Sequence, residues 1–437
     1  MISCRVVNKL RELMAAEELL LTPDFSETLV SEKKASFWET WLGLVKCSIG
    51  AGIFALPWAM AQSGLVLGVI AMALLATLAL YTMLLLVRIK RIAQTVDSQV
   101  STFSGIAEII APRWGRHLLD VCVFVSSVGI PAGYLVFINV NLKSIPELPF
   151  GSFVFLADLL VVPLAILLAW LPNTKFLAKA AAFGMSFLIV ALLLTVVFAG
   201  MTGPFLSSEL VLFDFSRFPM CFGIISLLFC VHGIILPLEL GMNDSSRFSS
   251  VLKLGSTCVA ATSIPFAMFG YWAFASQTQG YVFCNLPKNV YLSLVKASLA
   301  LELLFTIPLA NFPALKIFQQ WVGIQESSVW KRRFASTFLI LISWLFSILI
   351  PFFDNILSLV GGLGCATVGF ILPPLFDVFA TRSTLKQNLG TRDYLNLFLV
   401  CMGFVLVSST SYLNIQDILQ KYREHGFVKS QSMYNFC

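Results

Sequence analysis

The chain has 437 residues, 58% of them hydrophobic and only 12% charged, with a formal net charge of +6. That balance excludes a soluble domain. The basic residues are scattered through short segments between apolar runs rather than gathered in a patch, which argues against nucleic acid as a partner. With a mean hydropathy of +0.87, the composition predicts an all-α polytopic membrane protein of about ten to twelve helices at ~20 residues per crossing.

Residues 1–36 mix Arg5, Lys9, Glu12, Glu17 and Glu18 with a leucine run too short to cross a bilayer, and read as a cytosolic tail. A transmembrane domain over 37–415 follows, with eleven spans predicted at about 38–62, 65–87, 117–141, 152–171, 177–200, 218–240, 254–275, 289–310, 334–351, 355–377 and 394–413; residues 416–437 form a C-terminal tail. Alternate loops collect Arg88, Lys90, Arg91, Arg113, Arg116, Lys175, Lys179, Arg247, Lys253, Lys316, Lys331, Arg332, Arg333, Arg382, Lys386 and Arg392. The opposite loops hold little beyond Lys143, Arg217 and Lys288. The positive-inside rule then places the N-terminus in the cytosol. An odd number of spans sends Lys421, Arg423 and Lys429 to the far side, mildly against the rule. Cys47, Cys122, Cys221, Cys230, Cys258, Cys365 and Cys401 fall in apolar spans and read as packing residues; the three histidines show no metal-ligand spacing.

The stretch from Lys46 to Gly64, KCSIGAGIFALPWAMAQSG, organises the chain. Gly50 and Gly52 fall near the middle of the first span and Pro57 follows. Glycine weakens a helix by about 1 kcal/mol relative to alanine, and proline removes a backbone donor. In hydrocarbon a break of this kind survives only inside protein or beside a polar cavity. The sixth span, LLFCVHGIILPLELGM over 227–242, repeats the pattern: Gly233 interrupts it, Pro237 follows, and His232 and Glu239 lie at membrane depth. Interrupted helices at matching places in two halves indicate an inverted-repeat transporter. Repeat one would cover about 38–200, repeat two about 218–377, and the eleventh helix would be extra.

Four motifs, in order, resemble the amino acid/auxin permease family, most closely its proton-coupled amino acid transporter branch. They are Lys46 to Gly64; Gly133-Tyr134-Leu135-Val136-Phe137 with Asn141-Leu142; Leu236-Pro237-Leu238-Glu239; and Ile350-Pro351, Asp354, Ser358 to Gly362 and Leu372-Pro373-Pro374-Leu375. The resemblance implies a LeuT-type fold, five plus five helices in inverted repeat with one added, and secondary transport of amino acids. Two positions depart from that branch. Gly43 stands where it carries a histidine, and His232 where it usually carries an acid.

On this reading the N–H groups around Gly50, Ala51 and Gly52 receive a substrate carboxylate, since helix N-termini favour anions. Carbonyls near Cys47, Ser48, Phe229 and Cys230 receive its ammonium, and Gly233 lines the second break of the same site. Tyr134 matches the family tyrosine and would cap the pocket, and Phe229 would gate it. His232 is either a proton carrier or a neutral imidazole bonded to a carbonyl of the first span. Glu239 would pair with Lys46 as an inner gate. Glu302 is a further proton-carrier candidate. Thr306 lies where such folds place a cation-site hydroxyl, or else bonds its own helix. The expectation is a carrier of small neutral amino acids working by alternating access with protons, with no cofactor beyond H+ or Na+. The alternatives are a sodium-coupled or uncoupled carrier, and an amino-acid sensor signalling through its tail. No nucleotide-binding, selectivity-filter or nucleophile–base motif points to a pump, channel or enzyme. Either the plasma membrane or a vacuolar or lysosomal membrane would suit.

Overall fold

The computed structural model describes residues 34–145, 156–171, 174–205, 209–287, 289–324, 328–386 and 388–432. All but the last three residues of the expected N-terminal tail therefore lie outside the described residues.

Helix α1, Phe37–Ser48, opens on a capping box: the Glu39 N–H donates to Ser36 Oγ at 3.3 Å and the Ser36 N–H donates to the Glu39 carboxylate at 2.7 Å. It stops one residue before the Gly50-Ala51-Gly52 stretch. A 3-10 turn, Ala51–Ala55, leads into α2, Leu56–Ser63, whose start tolerates Pro57 because the first N–H groups of a helix lack partners anyway. The two halves of this first span are bent by 43°.

Next come α3 (Leu65–Ala93), the short α4 (Phe103–Ile110), α5 (Arg113–Ser144), α6 (Leu156–Ala169) and α7 (Thr174–Thr202). The second half begins with α8 (Phe218–Phe229) and α9 (His232–Gly241), which together form the sixth span. Then follow α10 (Phe248–Phe274), α11 (Val290–Val322) and α12 (Val329–Leu349). The tenth span runs Phe353–Thr384. It holds α13 (Phe353–Val360) and α14 (Leu372–Phe379), joined by two loosely wound turns, Gly361–Cys365 and Thr367–Ile371. Helix α15 runs Thr391–Ser432.

Among the described residues nine helices are long and apolar enough to cross a membrane, the bent first pair makes a tenth, and the shorter apolar stretch Ala157–Ala169 occupies the fourth predicted place. Leu159 (73% exposed), Phe334 (73%) and Met201 (75%) belong to a broad apolar exterior that only lipid tails would cover.

Lipid tails are as apolar as leucine, so helices in a bilayer associate through close packing and hydrogen bonds rather than by hiding from water. The contact of α8 with the tenth span is built that way. A Cβ on Gly361 would fall 1.9 Å from the Gly223 carbonyl oxygen, so only glycine lets the two backbones meet. Hydroxyls and amides tie the same region together. Ser358 Oγ donates to the Met220 carbonyl and Asn414 Nδ2 donates to Ser358 Oγ, both at 2.8 Å.

Two expectations are corrected here. The sixth span does not break at Gly233; the helical path is lost at Cys230 and Val231, and Gly233 is the second residue of α9. The last span does not end near residue 413. Its polar end is held in helix by Lys421 Nζ, which reaches Asp354 at 2.8 Å and Asp417 at 2.9 Å.

Candidate functional site

The two breaks meet. A Cβ on Gly52 would lie 3.7 Å from Leu227, in the last turn of α8, and 3.8 Å from Leu357 on α13. Tyr134, from α5, brings its hydroxyl to 3.8 Å from the Cβ position of Gly50. Of the last carbonyls of α1, Val45 accepts from the Ile49 N–H at 2.8 Å, while the carbonyls of Lys46, Cys47 and Ser48 lie past the last intrahelical donor. The turn after Gly50 and the start of α9 present the opposite polarity, their first N–H groups having no partner within the helix. Pro237 adds an acceptor: it lacks the N–H that would bond the carbonyl of Gly233, four residues earlier. Each break thus leaves backbone donors and acceptors without partners in its own helix, and no charged side chain is spent on them.

The space between the breaks is open. Nothing lies within 4 Å of a Cβ built on Gly233, and both Gly233 and Cys47 are exposed. On the far side of the first break it is shut by rings. Phe54 packs on Phe283 (centroids 4.9 Å apart), Phe137 on Tyr281 (4.7 Å) and on Phe353 (5.4 Å). The Tyr281 hydroxyl donates to Asn141 Oδ1 at 3.0 Å, pinning the layer to α5. This lid was not anticipated from the sequence, because no single ring stands out among 39 phenylalanines.

The other predicted residues distribute as follows. Ser48 Oγ donates to the Leu44 carbonyl at 3.1 Å, so its side chain serves its own helix. Phe229 is 2% exposed and part of the main core, with the closed layer formed by the other rings. Cys230 Sγ turns away and donates to the Cys365 carbonyl at 3.2 Å.

His232 is fully buried with Nε2 2.9 Å from Thr82 Oγ1 on α3. Its partner is thus not a carbonyl of the first span. Thr82 Oγ1 also lies 3.0 Å from the Ala79 carbonyl; with the hydroxyl proton given to that carbonyl, the imidazole donates from Nε2. Its Nδ1 has no protein partner, and the Gly369 Cβ position lies 3.0 Å away.

Glu239 does not pair with Lys46. Its carboxylate accepts from Lys90 Nζ at 3.1 Å, with both side chains buried. Lys90, read from the sequence only as an orientation charge, is its partner because α3 and α9 lie side by side. Thr306 Oγ1 bonds both the Glu302 carbonyl (3.0 Å) and the Glu302 carboxylate (3.1 Å), so it does serve its own helix while also touching the acid. The Glu302 stem lies against Gly184 of α7, where a Cβ would sit 1.8 Å from Cγ.

A family model for transmembrane amino acid transporter proteins matches residues 33–416. Amino acid transporter AVT3C of Arabidopsis thaliana is 28% identical over 406 residues, covering 88% of this chain and 91% of the relative. Vacuolar amino acid transporter 4 of Saccharomyces cerevisiae is 23% identical over 442 residues, covering 91% of this chain and 60% of the relative. Among solved structures, a Na+-coupled sialic acid symporter in a substrate-bound, outward-open state overlays with a TM-score of 0.56 at 12% identity, covering 93% of this chain and 96% of that one. An inward-facing structure of Mhp1 overlays with a TM-score of 0.50 at 12% identity, covering 92% and 95%. These likenesses give the LeuT-type fold. From the match over most of its length, the chain belongs to the transmembrane amino acid transporter family: a multi-pass membrane protein whose function is amino acid transport rather than catalysis.

Proposed function

We propose that the chain is a secondary active carrier of small neutral amino acids, driven by protons and working by alternating access. The observation that carries this reading is the meeting of the two helix breaks beneath Tyr134. An amino acid zwitterion needs donors for its carboxylate and acceptors for its ammonium, and the breaks offer both from backbone alone. The side-chain end of the substrate would face Leu227, Leu357 and the Tyr134 ring, all apolar. Leu227 and Leu357 lie within 4 Å of the Gly52 Cβ position, which favours small substrates.

For coupling, Glu302 is the carrier we favour. It is a half-buried carboxyl bonded to Thr306, so protonating it would change the charge carried by α11 within the membrane. His232 is closed in by Thr82 and Gly369 and is left as a structural imidazole. The yeast relative's name suggests a vacuolar-type membrane, with the N-terminus in the cytosol as the loop charges indicate.

The test is amino acid uptake into proteoliposomes under an inward proton gradient, then an inward sodium gradient. We expect concentrative uptake with protons alone. Glu302→Gln should abolish accumulation yet retain exchange of external for internal amino acid. Accumulation driven only by sodium, or a Glu302→Gln variant that still concentrates substrate, would remove protons or Glu302 from the reading.

A further inference from the structure

A second polar cavity lies away from the substrate space, at the N-terminal face. It encloses about 420 Å³, and its lining includes Lys34, Lys90, Arg91, Glu239, Ser245 and Ser246. That volume is within the usual range for small-ligand pockets, roughly 300–1,000 Å³. Three cations against one carboxylate leave the lining with an excess of positive charge. Glu239 is spent on Lys90. The neighbouring carboxylate, Asp244, is occupied by the Ser246 N–H at 3.1 Å and Ser246 Oγ at 2.6 Å. Lys34 and Arg91 have no acidic partner among the described residues and come from different parts of the chain, the tail and the end of α3. The cleft is framed by backbone pairing of Ala35 with the end of α9: its N–H donates to the Gly241 carbonyl at 2.8 Å and its carbonyl accepts from the Asn243 N–H at 2.9 Å.

We propose that this cleft binds a multiply phosphorylated anion of the inositol phosphate type. A single phosphate can take the forked guanidinium of Arg91. A ring bearing more than one phosphate can engage Arg91 and Lys34 at once and match the excess charge. With the N-terminus in the cytosol, as proposed above, the cleft sits at the cytosolic membrane surface, where basic pockets between helices take phosphorylated lipid headgroups. The same chemistry is presented by a membrane lipid and by its free headgroup.

The experiment measures binding to the detergent-purified full chain of two probes, inositol trisphosphate and a short-chain phosphatidylinositol bisphosphate. The variants are the double Lys34→Gln/Arg91→Gln, Ser245→Asp, which adds a carboxylate to the rim, and Lys253→Gln, which removes an exposed charge outside the cleft. We expect saturable binding weakened about tenfold or more by the double variant and by Ser245→Asp, and unchanged by Lys253→Gln. Equal affinity for both probes assigns the free headgroup, and a clear preference for the lipid assigns the membrane; either supports the site. Absence of saturable binding to the wild-type chain, or equal losses in the double and Lys253→Gln variants, overturns it. Substrate uptake by the same variants separates failure of this site from failure of the transport reading.

Discussion

Gly233 offers the sharpest test at the scale of one residue. Glycine is a poorer helix former than valine by a few tenths of a kcal/mol, so Gly233→Val should leave the fold intact. The added methyl groups enter a space in which nothing now lies within 4 Å of the Cβ position. Uptake should fall sharply while melting temperature and surface expression stay unchanged. A fully active Gly233→Val carrier would show that substrate does not occupy the space between the breaks. The same residue illustrates what the sequence discloses. Gly50, Gly52 and Pro57 locate the first break because two glycines remove side-chain support over one turn. In the sixth span a glycine four residues before a proline looks like the break itself. Its actual consequence is a carbonyl stripped of its donor inside α9, while the path is lost earlier, at Cys230 and Val231, where residue type gives no warning.

At the scale of elements, α3 and α9 are joined by the Lys90–Glu239 pair, whose side chains are 7% and 8% exposed. Removing one member of a buried pair strands the other charge, which typically costs about 3–5 kcal/mol, whereas replacing both with apolar residues is often neutral. Lys90→Met and Glu239→Leu should each lower the melting temperature in detergent, and the double variant should recover most of the loss. Additive losses would mean that the two side chains do not act as a pair. A similar logic applies to the end of α15. Lys421→Ala leaves Asp354, 3% exposed, without its cation, and should speed amide hydrogen exchange in α15 near Asn414–Glu424 more than in α8 or α10. Uniform protection would show that the helix end does not depend on this anchor. Existence and order of the spans were readable because each apolar run is long. Their partners are not: α9 meets α3 through a packing geometry that periodicity does not encode, so the sequence points Glu239 to Lys46 and His232 to a carbonyl of the first span, where the structure has Lys90 and Thr82. The extension of α15 was likewise hidden, since the polar residues that end an apolar run here continue as helix once Lys421 finds Asp354.

For the whole molecule, the two sides of the substrate space differ. The ring layer of Phe54, Phe137, Tyr281, Phe283 and Phe353 closes one side with side chains no more than 2% exposed. Cys47 and Gly233 are reachable on the other. A membrane-impermeant maleimide should therefore modify Cys47 from the N-terminal side, saturating amino acid should slow that reaction, and Cys47→Ala should remove the substrate-sensitive part of the labelling. Labelling from the opposite side alone would invert the orientation. The backbone pairing of Ala35 with the end of α9 has a mechanical meaning as well. It splices the residues just before the first span onto the end of α9, the second half of a broken helix. The residue that leads into the first span and the end of the sixth are therefore one hydrogen-bonded unit, and neither can be displaced without breaking or carrying the other.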